Sequence, residues 1–160
     1  MNSWQAVIID KMPKHLRRCH GDPCPKITVG SGVDRVVLKD SFEKTPLILI
    51  FYSGDFSPQA ITLLRRFTSE YEAYQHAGFS LLGIGSGNEA TRVAFIKKYS
   101  IPFPCVHDFK KSASRAFLVT RKVGSKLLIE PHVFVINTDG IICFAKKGYP
   151  KRSDILKLCK

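Results

Sequence analysis

Leu47-Ile48-Leu49-Ile50-Phe51-Tyr52-Ser53-Gly54-Asp55-Phe56-Ser57-Pro58-Gln59-Ala60 is the stretch from which the fold is read. Its first six residues are apolar without a break, the pattern of a strand in the centre of a sheet covered on both faces. Even with Pro46 added, the run is far shorter than the roughly 20 residues needed to cross a bilayer as a helix. Pro58 has the fixed φ that suits the first turn of a helix. Beyond it Ile61, Leu64, Phe67, Tyr71 and Tyr74 recur at steps of three and four residues, which predicts an amphipathic helix ending near Ala77-Gly78.

Working outward, residues 1–25 are the least regular part, broken by Pro13, Gly21, Pro23 and Pro25. Lys26 to Val29 and Arg35 to Leu38 flank Gly30-Ser31-Gly32 and read as a hairpin. Phe79 to Gly85 reads as a strand, and Asn88-Glu89 opens a helix through Val93, Phe95 and Ile96 to about Tyr99, stopped by Pro102 and Pro104. Cys105 to His107 is a short strand and Ser112 to Leu118 a short helix. His132 to Asn137 and Ile141 to Lys146 form a hairpin on Thr138-Asp139-Gly140, and a closing helix starts at Ser153. Alternation of this kind predicts a layered α/β domain with a partly parallel sheet.

Length and composition agree with one globular domain. The 160 residues are 44% hydrophobic and 24% charged, enough for a core without disulfide staples. Cys19, Cys24, Cys105, Cys143 and Cys159 are odd in number and irregular in spacing, which argues against a secreted disulfide framework and for a reducing, cytoplasmic setting. The apolar piece Trp4 to Ile9 has no basic residue before it and runs into Asp10 and Lys11, so no secretory signal is expected. The net charge of +12 is the one strong deviation. Its clusters (Lys11-Lys14-Arg17-Arg18, Lys97-Lys98, Lys110-Lys111-Arg115, Arg121-Lys122-Lys126, Lys146-Lys147-Lys151-Arg152) each read as solvated surface and together favour an anionic partner without naming one.

The stretch 47–60 resembles the active-site signature of peroxiredoxins of the bacterioferritin-comigratory type, in which an apolar strand ending in Phe-Tyr is followed by Asp-Phe-Thr-Pro-Gly-Cys and a helix. Four further pieces are similar to that family in the right order. Gly21-Asp22-Pro23-Cys24-Pro25-Lys26-Ile27-Thr28-Val29 looks like its opening Gly-x-x-Ala-Pro-x-Phe-x-Leu, and Leu82-Gly83-Ile84-Gly85 with Asn88-Glu89 looks like its second strand and helix start. Tyr99 to Asp108 resembles its Tyr-Gly-Leu-Pro-Phe-Pro-Leu-Leu-Ser-Asp, and Pro131 to Gly140 its Arg-x-Thr-Phe-Leu-Ile-Asp-x-Asp-Gly. The resemblance implies a peroxiredoxin-type thioredoxin fold, a central mixed sheet flanked by helices over residues 21–160, after an irregular basic arm at 1–20.

It also implies a chemistry: a thiolate at the helix start, its pKa lowered by an arginine and the helix N-terminus, with a threonine hydroxyl holding the peroxide. Carried over, the thiolate falls on Ala60, the threonine on Ser57, the arginine on Pro131, the glycine on Gln59 and the resolving cysteine on Arg65. A methyl group cannot attack an O–O bond. Loss at several positions together points to natural decay of the site rather than to one engineered Cys-to-Ala change. The former pocket is expected to be lined by Phe56, Ser57, Gln59, Ala60 and His132, with His132 either titrating near neutral pH or serving as a wall residue. Pro131 stands where thioredoxins carry a cis-proline; it reads equally as a trans proline opening an edge strand.

Among the remaining thiols, Cys105 and Cys143 lie in strand patterns and read as core. Cys24, where the family has Ala, and Cys159, where some members have a C-terminal resolver, are the candidate redox thiols. His15, Cys19, His20 and Cys24 match no standard zinc spacing, so neither metal nor cofactor is implied. Gly83-Ile84-Gly85-Ser86-Gly87 lacks the dinucleotide spacing and reads as a strand-to-helix turn. Three functions stay open: a peroxiredoxin-like binding or regulatory module without peroxidase activity, a thiol-dependent peroxidase working through Cys24 or Cys159, and a basic polyanion-binding module. The expected partners are a redox protein or an anion, with a homodimer allowed and no membrane.

Overall fold

The computed structural model describes residues 21–159, Val33 and Cys159 by backbone alone. The arm at 1–20, with His15, Cys19 and His20, and the Cys159 thiol lie outside the described residues. Strands β1 (Thr28–Val29) and β2 (Val36–Val37) pair antiparallel, as the hairpin reading expected, but more briefly. Leu38 leaves the strand and starts helix α1 (Leu38–Phe42), because both ends of that turn, Leu38 and Phe42, are buried in the core.

The central sheet has the order β5-β4-β3-β8-β9, with β3 (Leu47–Tyr52), β4 (Ser80–Gly85) and β5 (Cys105–His107) parallel. Strand β8 (His132–Ile136) runs antiparallel to β3, and β9 (Ile142–Lys147) antiparallel to β8. Every residue of β3 is at most 1% exposed. Burying one Leu or Ile side chain is worth about 1.5–3 kcal/mol, so this strand is the chief anchor of the fold. Side chains alternate across it. Leu47, Leu49 and Phe51 share one core layer with Phe117, Phe134 and Ile136, while Ile48, Ile50 and Tyr52 share the other with Ala60, Leu63, Leu64, Phe95 and Val133.

The helix expected from Pro58 to Ala77 is two helices, α2 (Pro58–Ser69) and α3 (Tyr71–His76), broken at Glu70, whose φ and ψ are −103° and 4°. The break lets Tyr71 stack near Phe103, at 5.9 Å between ring centroids, and seats Tyr74 between Phe67 and Phe79. Helix α4 (Glu89–Tyr99) starts where expected, with Asn88 and Thr91 closing a reciprocal capping box. Helix α5 (Ser112–Ala116) is shorter than expected; buried Asp108 accepts the amides of Ala113 and Ser114, each at 2.9 Å. A hairpin of β6 (Thr120–Val123) and β7 (Lys126–Ile129) was not expected at all. Its strands are mostly exposed and strongly basic, so they lack the apolar alternation that marks a strand.

Helix α6 (Arg152–Leu156) closes the chain over the second layer through buried Ile155. No peptide bond among the described residues is cis, so Pro131 is trans. It does not open an edge strand, however: β8 lies between β3 and β9. Pro131 is tolerated because it stands just ahead of the ladder, where its carbonyl accepts the amide of Gly148 at 2.8 Å and no amide donor is required of it.

Candidate functional site

The carboxyl end of β3 leads into the start of α2 through a tight, hydroxyl-rich turn. Phe56 has φ 62°, a left-handed conformation unusual for a bulky side chain and worth about 1–3 kcal/mol of strain. The strain is offset by contact: the Phe56 ring meets Phe95 at 5.1 Å and Tyr99 at 6.4 Å, with Lys98 Nζ 5.8 Å from its centroid. Ser57 then caps α2. Its hydroxyl donates to the Gly54 carbonyl at 2.9 Å, accepts the Ala60 amide at 3.2 Å, and lies 3.1 Å from Ser53 Oγ. Since a hydroxyl has one proton and two lone pairs, Ser53 is the donor to Ser57, and the Ser57 hydroxyl is fully used inside the turn.

Ala60 has no exposed surface; its methyl packs in the core layer beneath α2. Gln59 is exposed, and its carbonyl accepts the Tyr149 hydroxyl at 3.3 Å. Pro131, one residue ahead of β8, falls by strand alternation on the face of Val133, which is the face of Ala60. His132 falls on the other. It pairs in register with Phe51, stacks on Phe134 at 6.0 Å, and sets Nδ1 3.3 Å from the Glu130 carbonyl. Burial holds its pKa below 6.5. Phe56, Ser57, Gln59 and Ala60 are thus gathered at the start of α2, and His132 is separated from Ala60 by the sheet.

Beside this turn lies a polar cluster that the sequence reading missed. The Tyr52 hydroxyl donates to Asp55 Oδ1 at 3.3 Å, and Thr91 Oγ1 donates to Asp55 Oδ2 at 3.0 Å. Burial raises the Asp55 pKa despite those bonds and the nearby Arg92 and His107. Arg92 is only 6% exposed and forms an ion pair with Asp34 at 2.5 Å. His107 Nδ1 is buried with no hydrogen-bond partner among the described residues. A usable signal for Arg92 existed: three residues before Phe95, it occupies the helix stripe that faces the core.

None of the described thiols sits at the helix start. Cys105 is 6% exposed, and burial pushes its pKa up to about 12, where no thiolate forms at neutral pH. Cys143, in β9, donates to the Val135 carbonyl at 3.4 Å. Cys24 is buried, its thiol donates to the Pro25 carbonyl at 3.5 Å, and its backbone amide donates to the Gly140 carbonyl at 2.8 Å, which ties it to the β8–β9 turn. That turn lies at the end of the sheet opposite to Ser57 and Ala60. Among the described residues no three His, Cys, Asp or Glu side chains come together to hold a metal, and no helix is long and apolar enough to cross a membrane.

Comparison with known proteins places this geometry in a family. The AhpC/TSA family profile matches residues 20–145. The chain is 32% identical over 112 residues to chloroplastic peroxiredoxin Q of Triticum aestivum, covering 64% of this chain and 52% of that protein. It is 29% identical over 129 residues to peroxiredoxin 2 of Thermoplasma acidophilum, covering 76% of this chain and 63% of that one. The chain therefore spans from about half to somewhat under two thirds of these relatives. The fold is similar to that of peroxidoxin BcpB from Mycobacterium tuberculosis, with a TM-score of 0.79, 18% identity and coverage of 89% of this chain and 96% of that one. It is also similar to peroxiredoxin Q from Xanthomonas campestris, with a TM-score of 0.73, 22% identity and coverage of 83% and 89%. The five-stranded mixed sheet between helices is the thioredoxin fold in its peroxiredoxin form, and the chain belongs to the AhpC/TSA, or peroxiredoxin, family.

Proposed function

We propose that this chain is a peroxiredoxin-like protein that has lost thiol peroxidase activity and keeps the fold as a binding or regulatory module. The observation that carries the reading is the start of α2: Ala60 is fully buried there, and the neighbouring Ser57 hydroxyl spends its proton and both lone pairs on the turn. A peroxide at that spot meets neither a nucleophile nor a spare Ser57 hydroxyl proton, and Pro131 supplies no cation on the same face. The net charge of +12 favours an anionic partner, and the cysteine usage a cytoplasmic setting.

The test is sulfenic-acid trapping. Protein mixed with equimolar hydrogen peroxide and dimedone, then analysed by mass spectrometry, is expected to form no adduct faster than glutathione does. A prompt adduct on Cys24 or Cys159 overturns the reading in favour of a thiol peroxidase with a displaced nucleophile.

A further inference from the structure

A cavity of about 450 Å³ opens at the end of the sheet away from Ser57 and Ala60, between the β1 segment, α1 and the β8–β9 turn. Its size falls within the range of small-molecule sites, about 300–1,000 Å³. The lining is mainly apolar: Ile27, Val37, Phe42 and Ile141, with the prolines on either side of Cys24. Val37 is 43% exposed, so an uncovered aliphatic side chain stands at the opening. The charged groups at the cavity are Lys26, Lys39 and Asp139, two cations to one anion. Lys26 has no ion pair among the described residues. Lys39 meets Glu43 at 3.3 Å in a pair whose members are 69% and 50% exposed, and such a pair is worth under about 1 kcal/mol, so the ammonium is readily recruited elsewhere.

We propose that this cavity binds an amphipathic monoanion, an alkyl chain ending in a carboxylate. The apolar lining takes the chain, where burial is favourable without hydrogen bonds. The two lysines take the head, which stays near solvent and so escapes the cost of a buried charge. A nucleotide or bare phosphate fits less well, because the lining offers few polar groups to satisfy its oxygens. The site is at the far end of β3 from the α2 turn, so it stands whether or not the peroxidase reading does.

The experiment titrates decanoate, and decanol as its uncharged counterpart, into 15N-labelled protein. Decanoate is expected to shift the amides of Ile27, Val37 and Ile141 saturably and to bind at least tenfold more tightly than decanol. The pair Lys26→Glu and Lys39→Glu is expected to weaken decanoate at least tenfold and leave decanol unchanged. Ile27→Trp, which fills the cavity, removes both; unchanged amide dispersion elsewhere shows that the variant is folded. Equal binding of the two probes, decanoate binding untouched by the double charge reversal, or shifts scattered over the basic surface instead of at these three residues would each overturn the proposal.

Discussion

The amide of Ala60 donates to the hydroxyl of Ser57 at 3.2 Å, within one turn of α2. In a helix N-terminus that hydroxyl satisfies a backbone donor that otherwise has no partner. The same bond removes a lone pair from the one polar side chain that family resemblance would give to a substrate.

Ser57→Ala is therefore expected to lower stability by about 0.5–2 kcal/mol, with Ser57→Asp retaining most of it. Urea denaturation measures both. An alanine variant as stable as the parent would mean that the hydroxyl is not committed to the cap.

Gly85 is expected to tolerate no side chain. A Cβ placed there would lie 2.1 Å from Tyr52 Cε2, and the ring is held at its other end by Asp55. Gly85→Ala is expected to cost at least about 1–3 kcal/mol, the range for overpacking a well-filled core. Thermal unfolding with no fall in Tm would contradict this packing.

How legible was all this in the sequence? The strand 47–52, the Asn88 cap and the β8–β9 hairpin could be read because each rests on local chemistry: an unbroken apolar run, a capping side chain, an Asp-Gly turn. The split at Glu70 could not, since Tyr71 and Tyr74 keep the helical spacing and only Phe79 and Phe103, from the segments leading into β4 and β5, dictate the break. The β6–β7 hairpin was hidden by its exposure, although Gly124, at φ 60°, supplies the residue its turn requires. At the site, the turn residues were legible as neighbours in sequence. His132 is not in the pocket expected from the sequence: the alternation of β8 sets it on the face of Phe134 and away from Val133 and Ala60, a period-two signal that the family resemblance overrode. The cluster of Asp55, Arg92 and His107 was not legible, because the turn after β3, helix α4 and strand β5 bring it together from residues far apart.

Two groups set opposite pH dependences. The Asp55 pKa is raised from 3.8 in the folded protein, so the folded state holds its proton longer; stability from this group falls as pH rises from 3.8 through the folded value and is flat above it. His132 is held below 6.5, so the folded state gains its proton later; stability from this group falls as pH drops from 6.5 through the folded value. Asp55→Asn is expected to remove the first slope and His132→Asn the second, in denaturation midpoints recorded from pH 3 to pH 8 by about one-unit steps. A slope that survives its own substitution would contradict the assignment.

Asp34→Ala is expected to cost more than Lys39→Ala. The first leaves the buried Arg92 guanidinium without its partner, and stranding a buried charge costs several times the under 1 kcal/mol of an exposed pair. Arg92→Met, which removes the charge as well, should be milder than Asp34→Ala. The reverse order in urea midpoints would contradict a buried, pair-dependent Arg92.

The most direct measurement of the central claim is hydrogen peroxide consumption by the purified protein with dithiothreitol or thioredoxin as reductant. The expected result is a rate no greater than that of the reductant alone, unchanged when each cysteine in turn is replaced by serine. Catalytic turnover that disappears with one of those replacements would contradict the account.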